Sequence, residues 1–413
     1  MTDTPLSRRT FLRSTALGVG ATTFGAPALA QSIGNGGTPP GPDLEPVPTG
    51  RPQPAMDGDN PRPRPPEEQV GWAICGLGHF AQNYVIPHTR EGVDSRLAGF
   101  ISGNPDKLST LGEHWGIPED NRYGYDMAGL AENDDIDVVY VVTPNAVHEE
   151  NVIAAAEAGK HVFCEKPMAT NPESCQRMID ACEANGVKLG IAYRAHFEPH
   201  NLEAKRMIDE GELGRIEFVS SDHHRPLNPE NARDVWRMQY DMAGGGSLPD
   251  IGVYSINGLI WMLGESPSRL VAQTHAPAYD DNRFAEVEAI CNVLLEFPSG
   301  VRGQISSGYI ANKKRIDIWG ADGVAVLDPA TQYQGNALNI STSDGTRQVS
   351  PGFPSSRQFW AEIDHFSQHV RDDAELRVPA AMGLRDVRII QAIYASAADG
   401  RWVELNEDGS MAG

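Results

Sequence analysis

Val70-Gly-Trp-Ala-Ile-Cys-Gly-Leu-Gly-His-Phe-Ala81 is the stretch that decides the fold. Its first six residues form an apolar run suited to a buried strand, and a helical pattern follows to about residue 90. Strand, G-x-G-x-x-A and helix in this order are the fingerprint of a dinucleotide-binding unit. Gly76 is expected to make the tight turn, and Ala81 to let the helix pack closely on the strand. Gly78, next to Leu77, is expected to admit a pyrophosphate at the start of the helix.

Four further apolar runs alternate with helical patterns after this unit. We expect these strands at 95–101, 135–142, 160–164 and 188–193. The second of them is β-branched and apolar almost throughout, which is typical of a central parallel strand. The alternation predicts a Rossmann dinucleotide-binding domain over residues 70–194.

The carboxyl ends of these strands carry the cofactor-binding candidates, because ligands bind there in open α/β sheets. The second strand ends in Ser102-Gly-Asn-Pro-Asp-Lys107, without the acidic residue that usually bonds the ribose of NAD. A hydroxyl at Ser102 and an ammonium at Lys107 suit a 2′-phosphate, which predicts NADP, although Asp106 is nearby. The ends of later strands add further candidates: Thr143, Pro144, Asn145, His148, Glu165 and Lys166.

After residue 194 the pattern changes to alternating strands separated by turns. Six strands are expected in this part, at 215–222, 269–275, 288–297, 301–309, 314–320 and 324–328. Helices are expected at 198–210, 359–370 and 384–398. The pattern predicts a second, α+β domain over residues 195–413, built on a mostly antiparallel open sheet.

Gly244-Gly-Gly-Ser-Leu-Pro-Asp-Ile-Gly-Val-Tyr254 carries the candidate chemistry. If a helix starts near Pro249, Asp250 and Tyr254 share one face, and the glycines let the backbone approach a neighbour closely. A phenol beside a carboxylate can move a proton when a cation lowers its pKa, and Lys166 is the candidate cation. A capped helix with a packed tyrosine, and a lysine in a surface ion pair, are the structural alternatives.

Residues 1–30 resemble an export signal. Arg8 and Arg9 are the paired arginines of a twin-arginine signal, and Ala28-Leu-Ala30 is a cleavage site. The alternatives are an ordinary secretory signal or a disordered basic tail. The apolar run between them is too short for a stable membrane anchor, so the signal predicts a periplasmic protein exported folded by the twin-arginine machinery. Residues 31–69 form a proline-rich arm, which is either a linker or a segment that docks on another subunit.

Composition excludes several classes of function. A chain of 413 residues accommodates two domains, and a formal charge of -22 disfavours binding to nucleic acid or to an anionic membrane. Five cysteines cannot all be paired in disulfides, and their spacing is unlike that of a zinc site, so no metal is expected.

Taken together, G-x-G-x-x-A, T-P-N-x-x-H, E-K-P and G-G-G-x-x-x-D-I-G-x-Y resemble the glucose–fructose oxidoreductase/inositol dehydrogenase family over about residues 60 to 405. The tyrosine at 254, where many relatives have histidine, resembles the glucose–fructose oxidoreductase branch. The segment Ser221-Asp-His-His-Arg-Pro226 differs in character from that branch, which leaves the sugar pair open.

The resemblance implies a tightly held NADP and a homo-oligomer, a dimer or tetramer, formed through the second domain's sheet and the arm. It also implies ping-pong turnover, in which glucose is oxidised at C1 to the lactone and fructose is reduced to sorbitol. Tyr254 would move the proton, Lys166 would favour the phenolate, and Asp250 would orient the sugar. Arg194, His196 and Arg237 are candidate sugar-binding residues, each equally suited to a structural hydrogen bond.

Location supports such an internal cycle, because a periplasmic enzyme has no pool of free NADP with which to exchange its cofactor. Three alternatives remain. The chain could be an aldose–aldose oxidoreductase or a conventional NADP sugar dehydrogenase. It could also be a non-catalytic sugar or nucleotide sensor, although a sensor has no need of Lys166, Asp250 and Tyr254 together.

Overall fold

The computed structural model describes residues 63–413. The predicted signal peptide and most of the predicted arm lie outside these residues. At the described end of the arm, Arg64 binds the carboxylate of Asp94 at 2.6 Å, which fastens that end to the first domain.

The first domain is a six-stranded parallel sheet. Its strands are β1 (Val70–Cys75), β2 (Ser95–Ile101), β3 (Arg122–Tyr123), β4 (Val138–Val141), β5 (His161–Glu165) and β6 (Leu189–Ala192). They lie in the order β3-β2-β1-β4-β5-β6, so the winding reverses between β1 and β4. A ligand crevice forms at such a reversal, at the carboxyl ends of the strands. The predicted Rossmann fold is confirmed.

Four helices flank the sheet of this domain, and two of them begin at capping signals that the sequence carries. They are α1 (Ile86–Glu91, after a π-helical turn Ala81–Val85), α2 (Pro105–Trp115), α3 (His148–Glu157) and α4 (Pro172–Ala184). Asn104 and Asn171 cap α2 and α4 by accepting backbone N–H groups, and a proline follows each of them.

The second domain is a nine-stranded sheet with helices on one face. Its strands are β7 (Ile216–His224), β8 (Arg269–His275), β9 (Ile290–Glu296), β10 (Arg302–Gly308), β11 (Lys313–Gly320), β12 (Gly323–Leu327), β13 (Leu338–Thr342), β14 (Gly345–Val349) and β15 (Val403–Glu404). The order is β14-β13-β12-β11-β7-β10-β9-β8-β15. Every neighbouring pair is antiparallel except β7 and β10, so the predicted mostly antiparallel sheet is confirmed.

Six helices complete this part of the chain. They are α5 (Pro199–Asp209), α6 (Ala232–Val235), α7 (Tyr240–Ala243), α8 (Val253–Leu263), α9 (Arg357–Asp372) and α10 (Ala380–Asp399). Helix α8 is buried along nearly its whole length, which agrees with its almost entirely apolar sequence.

Helix α9 returns to the first domain and completes its core. Trp72 of β1 is fully buried among Tyr140, Phe163 and Phe366, with ring centroids 5.8–5.9 Å apart. Its indole N–H donates to the Ser367 hydroxyl of α9 at 2.9 Å. The C-terminal helices therefore join the two domains, and the predicted domain boundary at residues 194 and 195 is crossed by this packing.

The described chain also bears on smaller expectations from the sequence. All five cysteines are buried free thiols. Within residues 63–413, no helix is both long enough and apolar enough to span a bilayer. No group of acidic, histidine and cysteine side chains in that part could hold a metal ion.

Candidate active site

The glycine-rich loop after β1 is shaped for a dinucleotide. Gly76 has φ of +101°, and a Cβ there would lie 2.8 Å from the carbonyl oxygen of Val142, so only glycine fits the turn. Gly78 is exposed, and a Cβ there would meet no atom within 4 Å. The space beside the loop is therefore open to a diphosphate. Gly76 and Gly78 thus fit the dinucleotide that the sequence fingerprint predicts.

Ser102 and Lys107 lie beside this loop, as the sequence predicts. The Lys107 ammonium donates to the carbonyl oxygen of Leu77 at 3.3 Å, and burial lowers its pKa. Ser102 is nearly buried, and its hydroxyl accepts the backbone N–H of Asn104 at 3.2 Å. The Ser102 hydroxyl is also a hydrogen-bond partner of the Tyr125 phenol, and this bond partly opposes the rise that burial causes in the pKa of Tyr125. An ammonium and a hydroxyl beside the loop are the groups that suit a 2′-phosphate.

The T-P-N-x-x-H segment needs a correction. His148 is fully buried, with its ring nitrogens 2.8 Å from the Thr143 carbonyl and 3.1 Å from the Pro167 carbonyl. Asn145 is also buried and donates its amide N–H to the Ala243 carbonyl at 2.9 Å. These two side chains hold strand ends and loops together instead of facing the cofactor crevice. Thr143 and Pro144 are partly exposed at the end of β4.

Lys166 is brought to the second domain by the end of β5. Its ammonium donates to the backbone carbonyl of Asp250 at 2.5 Å and lies 4.6 Å from the ring centroid of Tyr254. Burial lowers the pKa of Lys166, although Asp250 and Glu165 oppose the shift. Glu165 itself accepts from the Tyr140 hydroxyl at 2.9 Å, so its carboxylate supports the strand end. The three residues with predicted catalytic roles are thus in one place.

Asp250 lies in a π-helical turn, Leu248–Gly252, that leads directly into α8. The turn is anchored by the buried Glu288, which accepts the backbone N–H groups of Gly246 and Leu248 at 2.8 and 2.9 Å. A Cβ at Gly246 would lie 1.9 Å from the carbonyl oxygen of Glu288. The glycines therefore allow a close approach between backbones, and this approach fixes where the helix begins.

One oxygen of the Asp250 carboxylate accepts three hydrogen bonds. Its Oδ2 lies 2.9 Å from the Tyr309 hydroxyl, 3.1 Å from Arg237 Nε and 3.3 Å from an Arg225 nitrogen. Burial alone would raise the pKa of Asp250, but Arg237, Arg225 and Lys166 outweigh it and hold the pKa far below its usual range. Asp250 is therefore an anion at every pH at which the protein works, and it is rigidly oriented.

Tyr254 is surrounded on several sides by cations and rings. The Arg194 guanidinium lies 4.8 Å from its ring centroid, and the His223 ring stacks on it at 5.1 Å. Burial raises the pKa of Tyr254, and Arg194 is the group that opposes this most strongly. The sequence-based assignment gives this role to Lys166, whose ammonium is the second cation beside the ring.

The three predicted sugar-binding residues have different environments. Arg237 is partly exposed and bonds Asp250, so it can face a ligand. Arg194 is buried behind Tyr254 and donates to the Thr331 carbonyl at 2.9 Å and to Gln358. His196 is fully buried, bonds Asn257 at 2.6 Å and packs on Trp261. Arg194 therefore acts through Tyr254, and His196 is a structural residue.

The sequence interpretation missed four residues that line the same site. They are His223, Arg225, Tyr309 and Lys314. Every second side chain of β7 points inward, and His223 near its end and Arg225 just after it follow this alternation. Tyr309, which follows the last residue of β10, lies beside Arg225. The alternating pattern of β7 is visible in the sequence up to these residues, but the strand predicted there ended at residue 222. Lys314 of β11 is the register partner of His223 of β7. Burial, together with the charge of Arg194, lowers the pKa of Lys314 to about 7.

Two family models match the chain. Residues 70–193 match an oxidoreductase family with an NAD-binding Rossmann fold, GFO_IDH_MocA. Residues 201–326 match the GFO/IDH/MocA C-terminal domain.

Sugar oxidoreductases are among the relatives. The NADP-dependent D-xylose 1-dehydrogenases of Haloarcula marismortui and Haloferax volcanii are 29% and 30% identical, over 82% and 81% of this chain and 94% and 99% of theirs. The structure of aldose–aldose oxidoreductase from Caulobacter crescentus, complexed with glycerol, is 42% identical, with a TM-score of 0.78 over 82% of this chain and all of that one. A levoglucosan dehydrogenase in complex with NADH, 22% identical over 82% of this chain and all of that one at a TM-score of 0.70, shares the fold.

Proposed function

The chain belongs to the GFO/IDH/MocA family of NAD(P)-binding sugar oxidoreductases, and on that premise we propose that it oxidises an aldose at C1 and reduces a second sugar with one tightly bound NADP. The observation that carries the proposal is the meeting of Lys166, Asp250 and Tyr254 at the crevice of the Rossmann sheet. When bound, NADP accepts a hydride from one substrate and supplies it to the other.

NADP is proposed over NAD on the residues at the end of β2. The Lys107 ammonium and the Ser102 hydroxyl suit a 2′-phosphate, and the turn carries no acidic side chain at residues 102 to 104. The two xylose dehydrogenases that are similar to this chain carry NADP in their names.

Tyr254 is the proposed proton carrier. In the oxidation its phenolate takes the proton of the C1 hydroxyl and becomes a phenol, and in the reduction that phenol gives the proton to the oxygen of the second sugar and becomes a phenolate again. The guanidinium of Arg194 favours the phenolate, which is the form present before the oxidation and restored by the reduction. The stacked His223 ring and the Lys166 ammonium fix the plane and position of the phenol.

Asp250 is the proposed residue that orients the sugar ring. Its Oδ2 is saturated by Arg225, Arg237 and Tyr309, so that oxygen cannot accept from a substrate. The other carboxylate oxygen, Oδ1, accepts no hydrogen bond from the residues that the structure describes. It is therefore the acceptor for a sugar hydroxyl, held in place by the bonds to its neighbour.

The second substrate that we propose is another aldose. The aldose–aldose oxidoreductase at 42% identity supports this choice, whereas the sequence resemblance alone implies fructose. Retention of NADP follows from the proposed location, because Arg8 and Arg9 direct the chain to the periplasm and no cofactor pool exists there. Replacing both arginines with lysine should leave the protein in the cytoplasm, and unchanged export would refute that location.

The test uses the nucleotide that remains with the purified protein after dialysis. Addition of glucose should produce reduced-nicotinamide fluorescence, and addition of a second aldose should abolish it, with fructose tested in parallel. If fructose abolishes the fluorescence and the second aldose does not, the glucose–fructose reaction would be established. If glucose produces the fluorescence and neither second sugar abolishes it, a conventional dehydrogenase would be established. If no sugar changes the fluorescence, the sensor would be favoured.

A homo-oligomer is proposed through the face of the nine-stranded sheet that carries no helices. Leu294 of β9 and Trp319 of β11 are about half exposed there, at 51% and 49%. Exposed large apolar side chains on a sheet face indicate an interface. Changing both to glutamate should yield monomers in light scattering, and an unchanged mass would remove this face from the interface.

A further inference from the structure

An arginine of the second domain reaches the glycine-rich loop of the first. Arg233, on the short helix α6, places a guanidinium nitrogen 3.1 Å from Nε2 of His79. His79 follows Gly78 directly, and Gly78 is the residue beside which the structure is open. The guanidinium therefore stands at the position where the fingerprint admits a diphosphate.

The guanidinium of Arg233 has no carboxylate partner among residues 63–413. Its described side-chain contact is with His79, and a guanidinium has only donors, so His79 must be neutral and accept. Burial and the charge of Arg233 lower the pKa of His79, which agrees with that state. By contrast, the neighbouring Arg225 and Arg237 both bind Asp250. In a chain of charge -22, an arginine without an acidic partner beside a phosphate loop indicates an anionic ligand.

The segment that carries Arg233 is held in place from the substrate side. The buried Asp234 accepts from Arg225 and from the backbone N–H of Asn228, each at 3.1 Å. The Arg237 guanidinium donates to the Arg233 carbonyl at 2.6 Å and also bonds Asp250. The backbone at Arg233 is thus held by the same arginines that hold the Asp250 carboxylate.

We propose that Arg233 binds the diphosphate of the dinucleotide and closes its crevice from the second domain, with His79 as the residue that positions the guanidinium. The site takes a diphosphate diester, and it adds a side-chain cation to the backbone N–H groups of the glycine-rich loop. It rests on dinucleotide binding alone and not on which sugars react.

The test compares nucleotides that differ only in the 2′-phosphate. Wild-type protein and an Arg233→Gln variant are loaded with NADPH or with NADH, and the dissociation constants and release rates are measured by fluorescence. Loss of a charge-assisted bond should weaken both nucleotides by a similar factor, roughly 10- to 100-fold. A Lys107→Gln variant should weaken NADPH and leave NADH nearly unchanged.

Further variants separate the contact from a general effect of charge or of folding. Arg215→Gln removes the same charge from an exposed pair with Glu217 on β7 and should change neither constant. His79→Phe should weaken both nucleotides by a smaller factor and add little to Arg233→Gln, because the two act as a unit. Each variant's thermal unfolding is recorded to verify that it folds.

Equal affinities for wild type and Arg233→Gln would overturn the proposal, and so would a loss confined to NADPH, which would assign Arg233 to the 2′-phosphate. If the wild-type protein bound neither nucleotide, dinucleotide binding itself would fail, and that result is distinguishable from the other two.

Discussion

Replacing Asp250 with asparagine preserves the shape of the side chain and removes its charge. In the native protein this carboxylate is bonded by Arg225 and Arg237 and lies close to Lys166. The asparagine would remove the anion that Arg225, Arg237 and Lys166 share. Arg225 and Arg237 would keep Asp234 as a carboxylate partner, at 3.1 and 3.7 Å. We therefore expect the substitution to destabilise the fold as well as the site.

The magnitude follows from the cost of removing one member of this buried ion network. Removing one partner of a buried ion pair costs about 3–5 kcal/mol. With an unfolding entropy of about 2.1 cal/mol/K per residue over residues 63–413, that loss lowers Tm by about 4–7 °C.

The pH dependence of this effect has a definite sign. The pKa of Asp250 is lower in the folded than in the unfolded protein, so its stabilisation is fully present above the unfolded value, about 3.9. It is lost as pH falls below that value, because the unfolded chain then takes up a proton that the folded site refuses. The difference between wild type and Asp250→Asn should therefore be constant near neutrality and shrink below about pH 4.

Thermal and urea unfolding, followed by circular dichroism, measure this difference. Tyr309→Phe removes one neutral donor to the same oxygen and should cost about 1.5–3 kcal/mol. Asp281→Asn breaks an exposed pair with Arg283 and should cost at most about 1 kcal/mol. An Asp250→Asn protein as stable as wild type at neutral pH, or a difference that persists in acid, would refute the electrostatic reasoning.

Three further predictions test other parts of the structure. Tyr254→Phe should slow turnover by roughly 10²- to 10⁴-fold and leave the bound nucleotide in place, as measured by sugar oxidation and by absorbance; unchanged turnover would remove its proton-transfer role. Lys314 has a pKa lowered to about 7, so Lys314→Met should raise the free energy of unfolding near pH 6, with a gain that fades as pH rises toward about 10; a gain independent of pH would contradict this. Trp72→Ala should cost about 3–5 kcal/mol in denaturant unfolding, whereas truncation of the half-buried Trp236 should cost clearly less, and equal costs would contradict the assignment of the core.

Local patterns in the sequence predicted the fold because strands, turns and helices are specified largely by residues that are close together along the chain. The strand, glycine loop and helix at residues 70–81 specify a Rossmann unit, and the observed sheet follows from it. The hairpin of β13 and β14 was missed although Asp344-Gly345 is a turn signal between two short alternating runs. Short exposed edge strands bury little apolar surface, so their periodicity is weak.

The candidate site was predicted where chemistry and spacing coincide, and mispredicted where burial decides. Lys166, Asp250 and Tyr254 lie at strand and helix ends, which the topology brings together. His148 and His196 have the right side chains in suggestive motifs, yet both are fully buried and engaged with neighbouring protein groups. His223 was missed because β7 runs two residues beyond its predicted end, to His224, and Arg225 follows that end directly. Burial and strand length are set by tertiary packing, which no single motif encodes.

The electrostatics of Tyr254 connect these observations to the proposed two-way reaction. A side chain that takes a proton from one sugar and returns it to another needs a pKa that the state of the site can change. Burial raises the pKa of Tyr254 and Arg194 opposes that rise, so the environment favours the protonated, proton-donating form of the phenol. An additional positive charge in the crevice would lower that pKa, and an oxidised nicotinamide carries such a charge whereas a reduced one does not. Because burial keeps solvent from screening that charge, the same burial that makes the phenol a poor base in isolation makes it responsive to the redox state of the cofactor.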